Sequence, residues 1–259
     1  MMEISLNKKS LQVEEGKTVL EIARSEGIDI PTLCFYEALG PYGACRLCVV
    51  EAEGPMLRRQ LIASCTLAVS PGLVVETDTP LVRHSRKVVF ELLLGRAPDS
   101  KPLLELARKY GVESTRFPTG QSDNCVRCGL CVRVCRDKIG VSALCFAGRG
   151  QKKRVTAEFS KLSETCIGCA TCVNLCPADA IQAEDQEDQR RIFLKDNTIS
   201  RQTLVSCRIC GTYYHTQRFI DYVTNRSDLE EGLKVERDLC PACARRHYAQ
   251  AIVGELSGY

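Results

Sequence analysis

The chain of 259 residues contains no tryptophan, and aromatic residues make up only 6% of it. Proteins that bind single-stranded nucleic acid stack bases on aromatic side chains beside a basic groove. Here 35 lysines and arginines are nearly balanced by 32 aspartates and glutamates, without a broad basic stripe. We therefore expect no nucleic-acid partner.

The sequence also lacks an apolar run long enough to cross a membrane. The best candidate, Val88 to Leu94, is seven residues long and is followed by Gly95, whereas a transmembrane helix needs about 20 apolar residues. The first residues, Met1 to Lys9, have no apolar signal segment. These absences predict a cytoplasmic protein without a membrane span.

Signatures of substrate chemistry are missing as well. No Gly-x-Gly-x-x-Gly motif follows a predicted strand, and no Walker-type loop is present. No Ser/His/Asp or paired-carboxylate pattern supports a catalytic centre. We expect neither catalytic residues nor a flavin on this chain.

Cysteine, in contrast, is abundant, and its spacing is the strongest signal in the sequence. The 17 cysteines fall into groups between residues 34 and 65, 125 and 176, and 207 and 243. In a reducing compartment such groups indicate metal sites rather than disulfides. Cys145 lies outside the ligand patterns, and its apolar neighbours are typical of a small buried side chain.

The second group is a double run. It reads Cys-x2-Cys-x2-Cys-x3-Cys from Cys125 to Cys135 and again from Cys166 to Cys176, with Arg136 after the first run and Pro177 after the second. In two-cluster ferredoxins the fourth cysteine of such a run binds the other cluster. The sequence therefore predicts two 4Fe-4S clusters, one bound by Cys125, Cys128, Cys131 and Cys176, the other by Cys166, Cys169, Cys172 and Cys135.

The first group is spaced for a different cluster. It reads Cys34-x10-Cys45-x2-Cys48-x16-Cys65. A plant-type 2Fe-2S site has the same close pair and distant fourth ligand, but a first gap of four residues. We predict a 2Fe-2S cluster bound by these four cysteines. The alternative is a zinc site, which usually pairs two Cys-x2-Cys knuckles.

The third group consists of two such knuckles, Cys207-x2-Cys210 and Cys240-x2-Cys243. Two facing knuckles suit tetrahedral Zn²⁺, which supplies folding energy to a segment with little core. A further 4Fe-4S cluster is the alternative, and His215 could replace one ligand. A net charge of −2 at each of the four sites would turn the formal +3 into about −5.

Local patterns predict a mixed α+β protein. Alternating residues on either side of Asn7 to Lys9 indicate a hairpin, and Thr18 with Glu21 forms a capping box at the start of a helix. Thr79 is predicted to begin another helix. Pro241 to Leu256 is predicted as a terminal helix with Tyr248 on its buried side.

The segment Gly43-Ala44-Cys45-Arg46-Leu47-Cys48-Val49-Val50-Glu51, with Cys34 before it and Ala63-Ser64-Cys65-Thr66 after it, resembles a known domain. That domain opens the iron-sulfur subunits of NADH dehydrogenases, soluble NAD-linked hydrogenases, formate dehydrogenases and electron-bifurcating complexes. The resemblance covers residues 1 to about 182. It implies a β-grasp 2Fe-2S ferredoxin domain (1–78), a helical connector (79–115) and a bacterial-type two-4Fe-4S ferredoxin domain (116–196). The cysteine spacing and the helical pattern alone predict the last part, a four-cysteine zinc-ribbon-like segment with a C-terminal helix (197–259).

The chain departs from this family in the connector. Most members carry a His and three cysteines there, which bind an extra 4Fe-4S cluster. The corresponding stretch, Gly95 to Pro102, has no cysteine, and His84 does not match the missing histidine. We expect this cluster to be absent. We also expect no active-site iron domain of the kind that completes some hydrogenase subunits.

The expected function is electron transfer within a cytoplasmic NAD(P)-linked complex, such as a bifurcating transhydrogenase, a hydrogenase or a formate dehydrogenase. A hydride must be split into single electrons by a flavin, which would lie on another subunit. The resemblance implies a flavin-binding NADH dehydrogenase-like partner, a thioredoxin-fold 2Fe-2S partner, and an acceptor such as ferredoxin or a hydrogenase or formate dehydrogenase subunit. The alternative is a metal-dependent scaffold with structural or sensing clusters.

Overall fold

The computed structural model describes residues 1–119, 122–158, 161–226 and 238–256, with side chains up to residue 249. In these ranges the strands form one mixed and two antiparallel sheets. Helices lie between the strands along the chain. Among the residues described, no helix has the length and apolar character needed to span a bilayer.

The N-terminal unit is a five-stranded sheet with one helix. Its strands are β1 (Met2–Leu6), β2 (Lys9–Val13), β3 (Val49–Gly54), β4 (Leu57–Ala63) and β5 (Val74–Glu76), in the order β2-β1-β5-β3-β4. The predicted hairpin is confirmed, since β1 pairs antiparallel with β2. So is the capping box of α1 (Val19–Ser25), because Thr18 and Glu21 each cap the backbone amide of the other. A separate apolar core fills this unit and includes Leu6, Leu20 and Val50.

The connector consists of two helices, α2 (Pro80–Arg96) and α3 (Lys101–Lys109). The Thr79 hydroxyl accepts a hydrogen bond from the Val82 amide, so the predicted cap is confirmed. Ser100 caps α3 and also donates to the Ala178 carbonyl at 3.0 Å. Because Ser100 is buried, the cysteine-free turn between the helices packs directly against the exit of the second cysteine run.

Each cysteine run ends in a short helix, α4 (Leu130–Arg133) or α5 (Thr171–Asn174). In the first run a π-helical turn, Val134–Ile139, continues α4 where the second run has Pro177. A small hairpin between the runs pairs β6 (Cys145–Ala147) with β7 (Arg154–Thr156).

A four-stranded antiparallel sheet closes the fold. It contains β8 (Ile181–Gln186), β9 (Gln189–Leu194), β10 (Asn197–Ser206) and β11 (Tyr213–Thr216), in the order β11-β10-β9-β8. The predicted domain division after residue 196 thus falls in the turn between two paired strands.

Two helices complete the described chain, α6 (Gln217–Arg226) and α7 (Pro241–Leu256). The predicted terminal helix is therefore confirmed. The prediction for Tyr248 is wrong, because this side chain is 46% exposed.

Candidate metal centres

The first group of cysteines lies beside the five-stranded sheet, with three in the loop before β3 and the fourth just after β4. Cys34, Cys45, Cys48 and Cys65 are all buried. The sulfurs of Cys34 and Cys45 are 3.4 Å apart, and the Cys45 amide donates to the Cys34 sulfur at 3.3 Å. Gly43, in the same loop, has a φ of 71°, which glycine adopts without strain. The loop therefore brings sulfurs and backbone donors into one buried place.

Two thiols of this group have lowered pKa values. A hydrogen bond from the Cys34 thiol lowers the pKa of Cys45 to about 6, and the Leu47 amide acts in the same direction. A hydrogen bond from the Cys65 thiol lowers the pKa of Cys48 to about 7. The same two hydrogen bonds raise the pKa values of Cys34 and Cys65, so each thiol pair favours one thiolate and one thiol, and metal binding would release the remaining protons.

The two runs of the second group share one backbone shape. In the first run Arg127 and Gly129, on either side of Cys128, have φ values of 57° and 79°. In the second run Gly168 and Ala170, on either side of Cys169, have φ values of 69° and 57°. Two left-handed residues around the middle cysteine curl each loop, so that its sulfurs face inward.

The sulfurs of these runs meet crosswise in two hollows. One hollow has about 370 Å³ of empty space and is lined by Cys135 with three cysteines of the second run: Cys166, Cys169 and Cys172. The other has about 330 Å³ and is lined by Cys176 with three cysteines of the first run: Cys125, Cys128 and Cys131. The predicted four-and-four grouping is therefore present as a geometric arrangement.

The chemistry of the hollows fits iron-sulfur clusters. Apolar side chains of the four-stranded sheet wall both. Ile181 and Leu194 line the hollow that holds Cys176, here called the first hollow or first 4Fe-4S site, and Ile192 and Ile199 line the hollow that holds Cys135, the second. Burial raises the pKa of Cys128 to about 12. Metal binding at such thiols must therefore release protons, and soft thiolate metals suit this donor set.

An arginine paired with an aspartate braces each of the two loops. Arg127 forms an ion pair with Asp123 at 2.7 Å and donates to the Cys125 carbonyl at 3.1 Å. Arg190, on β9, forms an ion pair with Asp185 at 2.8 Å and donates to the Gly168 carbonyl at 3.1 Å. Both loops are thus held by a cation that is itself neutralised.

The 2Fe-2S candidate loop touches the first run. Arg133, in α4, donates to the carbonyls of Gly40 at 3.1 Å and of Leu39. Its guanidinium also lies 4.8 Å from the centre of the Tyr42 ring. The buried core is continuous here, since Cys45 and Cys128 belong to one apolar cluster. These two candidate sites are therefore neighbours.

The third group forms a compact four-sulfur cluster. The sulfurs of Cys207, Cys210, Cys240 and Cys243 all lie within 4.8 Å of one another. The Cys240 amide lowers the pKa of Cys207 to about 6, and the Thr212 hydroxyl lowers that of Cys210. His215 is not a member of this group and packs instead against Phe219, with 4.9 Å between the centres of the tilted rings.

The segment that follows the first knuckle of this four-sulfur cluster lies against the second run. The Thr216 hydroxyl donates to the Ile167 carbonyl, and Arg218 donates to the Glu164 carbonyl at 2.5 Å. Tyr222 donates to the Ile139 carbonyl, beyond Cys135. Thus β11 and α6 contact both chain segments that bring cysteines to the second hollow.

Sequence reasoning missed the arginines around these sites. Arg86 and Arg133 are both buried, and each donates to a backbone carbonyl in or beside a cysteine loop. No local pattern marks them, since their acceptors lie 37 and 99 residues away in the sequence. Of the residues that were set aside, His84 is exposed on α2 and Cys145 is half-buried in β6.

Two protein families match the chain in the regions of these sites. Residues 1–80 match the family described as a 2Fe-2S iron-sulfur cluster binding domain. Residues 124–180 match the 4Fe-4S dicluster domain family.

Curated relatives match over most of this chain. An NADH-quinone oxidoreductase subunit of Rhizobium meliloti (strain 1021) is 29% identical over 265 residues, covering 91% of this chain and 30% of the relative. NADP-reducing hydrogenase subunit HndD of Solidesulfovibrio fructosivorans is 32% identical over 212 residues, covering 70% of this chain and 36% of the relative. The chain thus spans about a third of the length of these relatives.

A solved structure is similar as well. It is a chain of the NAD⁺-reducing [NiFe]-hydrogenase in the H₂-reduced state, with 33% identity and a TM-score of 0.54, covering 60% of this chain and 74% of that one. Both cysteine-loop regions match cluster-binding families, and relatives of two enzyme classes agree along the chain. This chain belongs to the family of iron-sulfur subunits that NADH-quinone oxidoreductases and NAD(P)-linked hydrogenases share.

Proposed function

We propose that this chain is an electron-transfer subunit of a multi-subunit NAD(P)-linked oxidoreductase, and that it passes single electrons between a flavin-binding subunit and a redox acceptor. Its relatives are named as subunits of NADH-quinone oxidoreductase and of NADP-reducing hydrogenase. Bound clusters would supply centres that accept and release one electron at a time.

The crosswise grouping of eight cysteines in two apolar hollows carries this proposal. We assign one 4Fe-4S cluster to each hollow, and a 2Fe-2S cluster to Cys34, Cys45, Cys48 and Cys65. The protein holds the sulfurs in place through left-handed loop residues and amide donors, and its apolar walls keep water away. The five-stranded sheet with one helix supports the β-grasp assignment for this first site.

We assign Zn²⁺ to Cys207, Cys210, Cys240 and Cys243. Four sulfurs within 4.8 Å suit a tetrahedral ion. Apart from the cysteines themselves, Leu239 is the buried apolar residue of the small cluster around them, so metal binding would supply much of the folding energy. A further 4Fe-4S cluster remains the competing assignment.

The partners we propose are a flavin-binding NADH dehydrogenase-like subunit, a thioredoxin-fold 2Fe-2S subunit, and ferredoxin or a hydrogenase or formate dehydrogenase subunit as acceptor. We place the complex in the cytoplasm. All 17 cysteines are free thiols, in keeping with a reducing compartment.

The proposal is tested by adding NADH to the anaerobic chain with and without the flavin-binding subunit. Visible absorbance should bleach only in the presence of that subunit. A Cys131→Ala variant should lose the iron of one 4Fe-4S cluster and part of the bleaching, whereas Cys145→Ala, outside the ligand groups, should behave as the wild type. NADH oxidation by the chain alone, with bound flavin, would show a self-contained reductase. Intact clusters that the flavin subunit never reduces would favour the scaffold alternative.

A further inference from the structure

Arg86 is a buried cation on the connector helix α2. Only 5% of the residue is exposed, and its Nη2 donates to the Val49 carbonyl at 2.8 Å. Val49 directly follows Cys48, one of the predicted 2Fe-2S ligands. The guanidinium therefore lies at the base of that site.

The environment of Arg86 leaves its charge without a partner. Within the part of the chain that the structure describes, no carboxylate lies within 4 Å of its guanidinium, and its buried Nε has no hydrogen-bond acceptor. The carboxylates whose charges act on Arg86 from a distance are paired elsewhere: Asp78 with Arg83 at 2.8 Å, and Asp29 with Lys109 at 2.5 Å. Glu91, on α2 itself, is paired with Arg116 at 3.1 Å. An unpaired buried charge is costly, and arginine does not escape the cost by losing its proton.

Arg133 is a second buried cation, and it contacts an earlier part of the same loop. It is 7% exposed, and its acceptors are the carbonyls of Cys34, Leu39 and Gly40. Among the described residues, it too has no carboxylate within ion-pair distance. The two guanidinium groups thus reach the backbone of Cys34 at one end of the site and of Val49 at the other.

The arginines at the two 4Fe-4S candidate sites differ from this pair. Arg127 and Arg190 each have a bidentate aspartate, so their charges are neutralised locally. Among the described residues, no carboxylate neutralises the charges of Arg86 and Arg133 in this way. A four-thiolate iron-sulfur centre is anionic and gains one negative charge on reduction, so it can provide the compensating charge that the protein lacks.

We propose that Arg86 and Arg133 are the buried counter-charges of the 2Fe-2S site and raise its reduction potential by stabilising the reduced, more negative state. This inference rests on the cluster assignment of the proposed function. Arg86 extends from the connector helix, whereas Arg133 extends from the helix of the first cysteine run, between Cys131 and Cys135 in the sequence.

The test is an anaerobic redox titration of the full chain, followed by electron paramagnetic resonance. The 2Fe-2S signal persists at temperatures that broaden 4Fe-4S signals, so its potential can be read separately. Arg86→Gln keeps the size and a donor but removes the charge. We expect reduction of the 2Fe-2S centre to become about tenfold less favourable, a fall of about 59 mV for one electron. Arg86→Lys, which keeps the charge, should restore most of the potential.

The matched control is Arg83→Gln, three residues earlier on α2, because Arg83 is exposed and paired with Asp78. It should leave all potentials unchanged. If Arg86→Gln does not fold, Arg133→Gln decides, since it must also lower the 2Fe-2S potential. An unchanged 2Fe-2S potential in a folded variant, or an equal shift in Arg83→Gln, overturns the inference. Absence of any 2Fe-2S signal in the wild type would instead refute the cluster assignment itself.

Discussion

Glycine at position 168 is required by a close contact. Its φ is 69°, and a Cβ there would lie 2.5 Å from Cγ2 of Thr216, on β11. The first run carries Arg127 at the equivalent position, where the side chain itself braces the loop. In the second run, β11 occupies that space, and the bracing guanidinium comes from Arg190. The side chain of Thr216 thus explains why the second loop has a glycine where the first loop has Arg127.

Replacing Gly168 by alanine should therefore disturb the second 4Fe-4S site. We expect a loss of about 3 kcal/mol in the free energy of unfolding, from left-handed strain plus the clash with Thr216. Gly16→Ala is the matched control, because Gly16 has a φ of 85° with open space around it. It should cost only about 1 kcal/mol. Thermal unfolding and iron content are measured for both variants. Equal losses of stability and iron in Gly168→Ala and Gly16→Ala would contradict the role of the Thr216 contact.

The crosswise arrangement of cysteines makes a second prediction at this scale. Cys135→Ala should damage the cluster held mainly by the second run, although Cys135 belongs to the first. Cys176→Ala should damage the other cluster. Low-temperature electron paramagnetic resonance measures the clusters that remain in each variant. Cys135→Ala should give the same residual spectrum as Cys172→Ala, and Cys176→Ala the same as Cys131→Ala. If Cys135→Ala instead resembled Cys131→Ala, the grouping would be wrong.

At the scale of elements, β11 and α6 contact both chain segments that form the second 4Fe-4S site, and we call these two elements the clasp. They contact the Glu164 and Ile167 carbonyls on one side and the Ile139 carbonyl on the other. The clasp begins directly after the Cys207–Cys210 knuckle. Metal at the four-sulfur cluster should therefore hold the clasp in place.

Removing that metal is predicted to loosen the second 4Fe-4S cluster selectively. A Cys240→Ser, Cys243→Ser variant should lose about one zinc per chain, and its second 4Fe-4S cluster should degrade faster in air than the first. The 2Fe-2S signal serves as the internal control, because these hydrogen bonds from β11 and α6 go to the segments around the second hollow. Loss of about four irons on purification would show that this site holds a cluster instead. Equal lability of all clusters would contradict the clasp.

Local sequence patterns account for part of this fold. The caps at Thr18 and Thr79 and the hairpin of β1 and β2 were predictable because each depends on residues a few positions apart. The cysteine spacing led to the same grouping of sulfurs that the structure has, whereas their ligand role stays a prediction. The contacts of Arg86, Arg133 and Thr216 were not predictable, because their partners lie 37 to 99 residues away.

At the scale of the whole molecule, the candidate sites follow one another in space as they do in sequence. The 2Fe-2S loop contacts the first run through Arg133, and each cysteine run contributes its fourth cysteine to the hollow of the other run. The four-sulfur cluster is joined to the second hollow by β11. The cysteine-free turn between α2 and α3 packs against Ala178. This order suits a relay with one end at the 2Fe-2S loop and the other near the second run.

The most direct test of this account is a joint metal analysis and redox titration of the chain purified without oxygen. The account predicts about ten iron atoms and one zinc per chain, with separate one-electron reduction waves for one 2Fe-2S and two 4Fe-4S centres. A colourless, iron-free polypeptide that is nevertheless folded would contradict it.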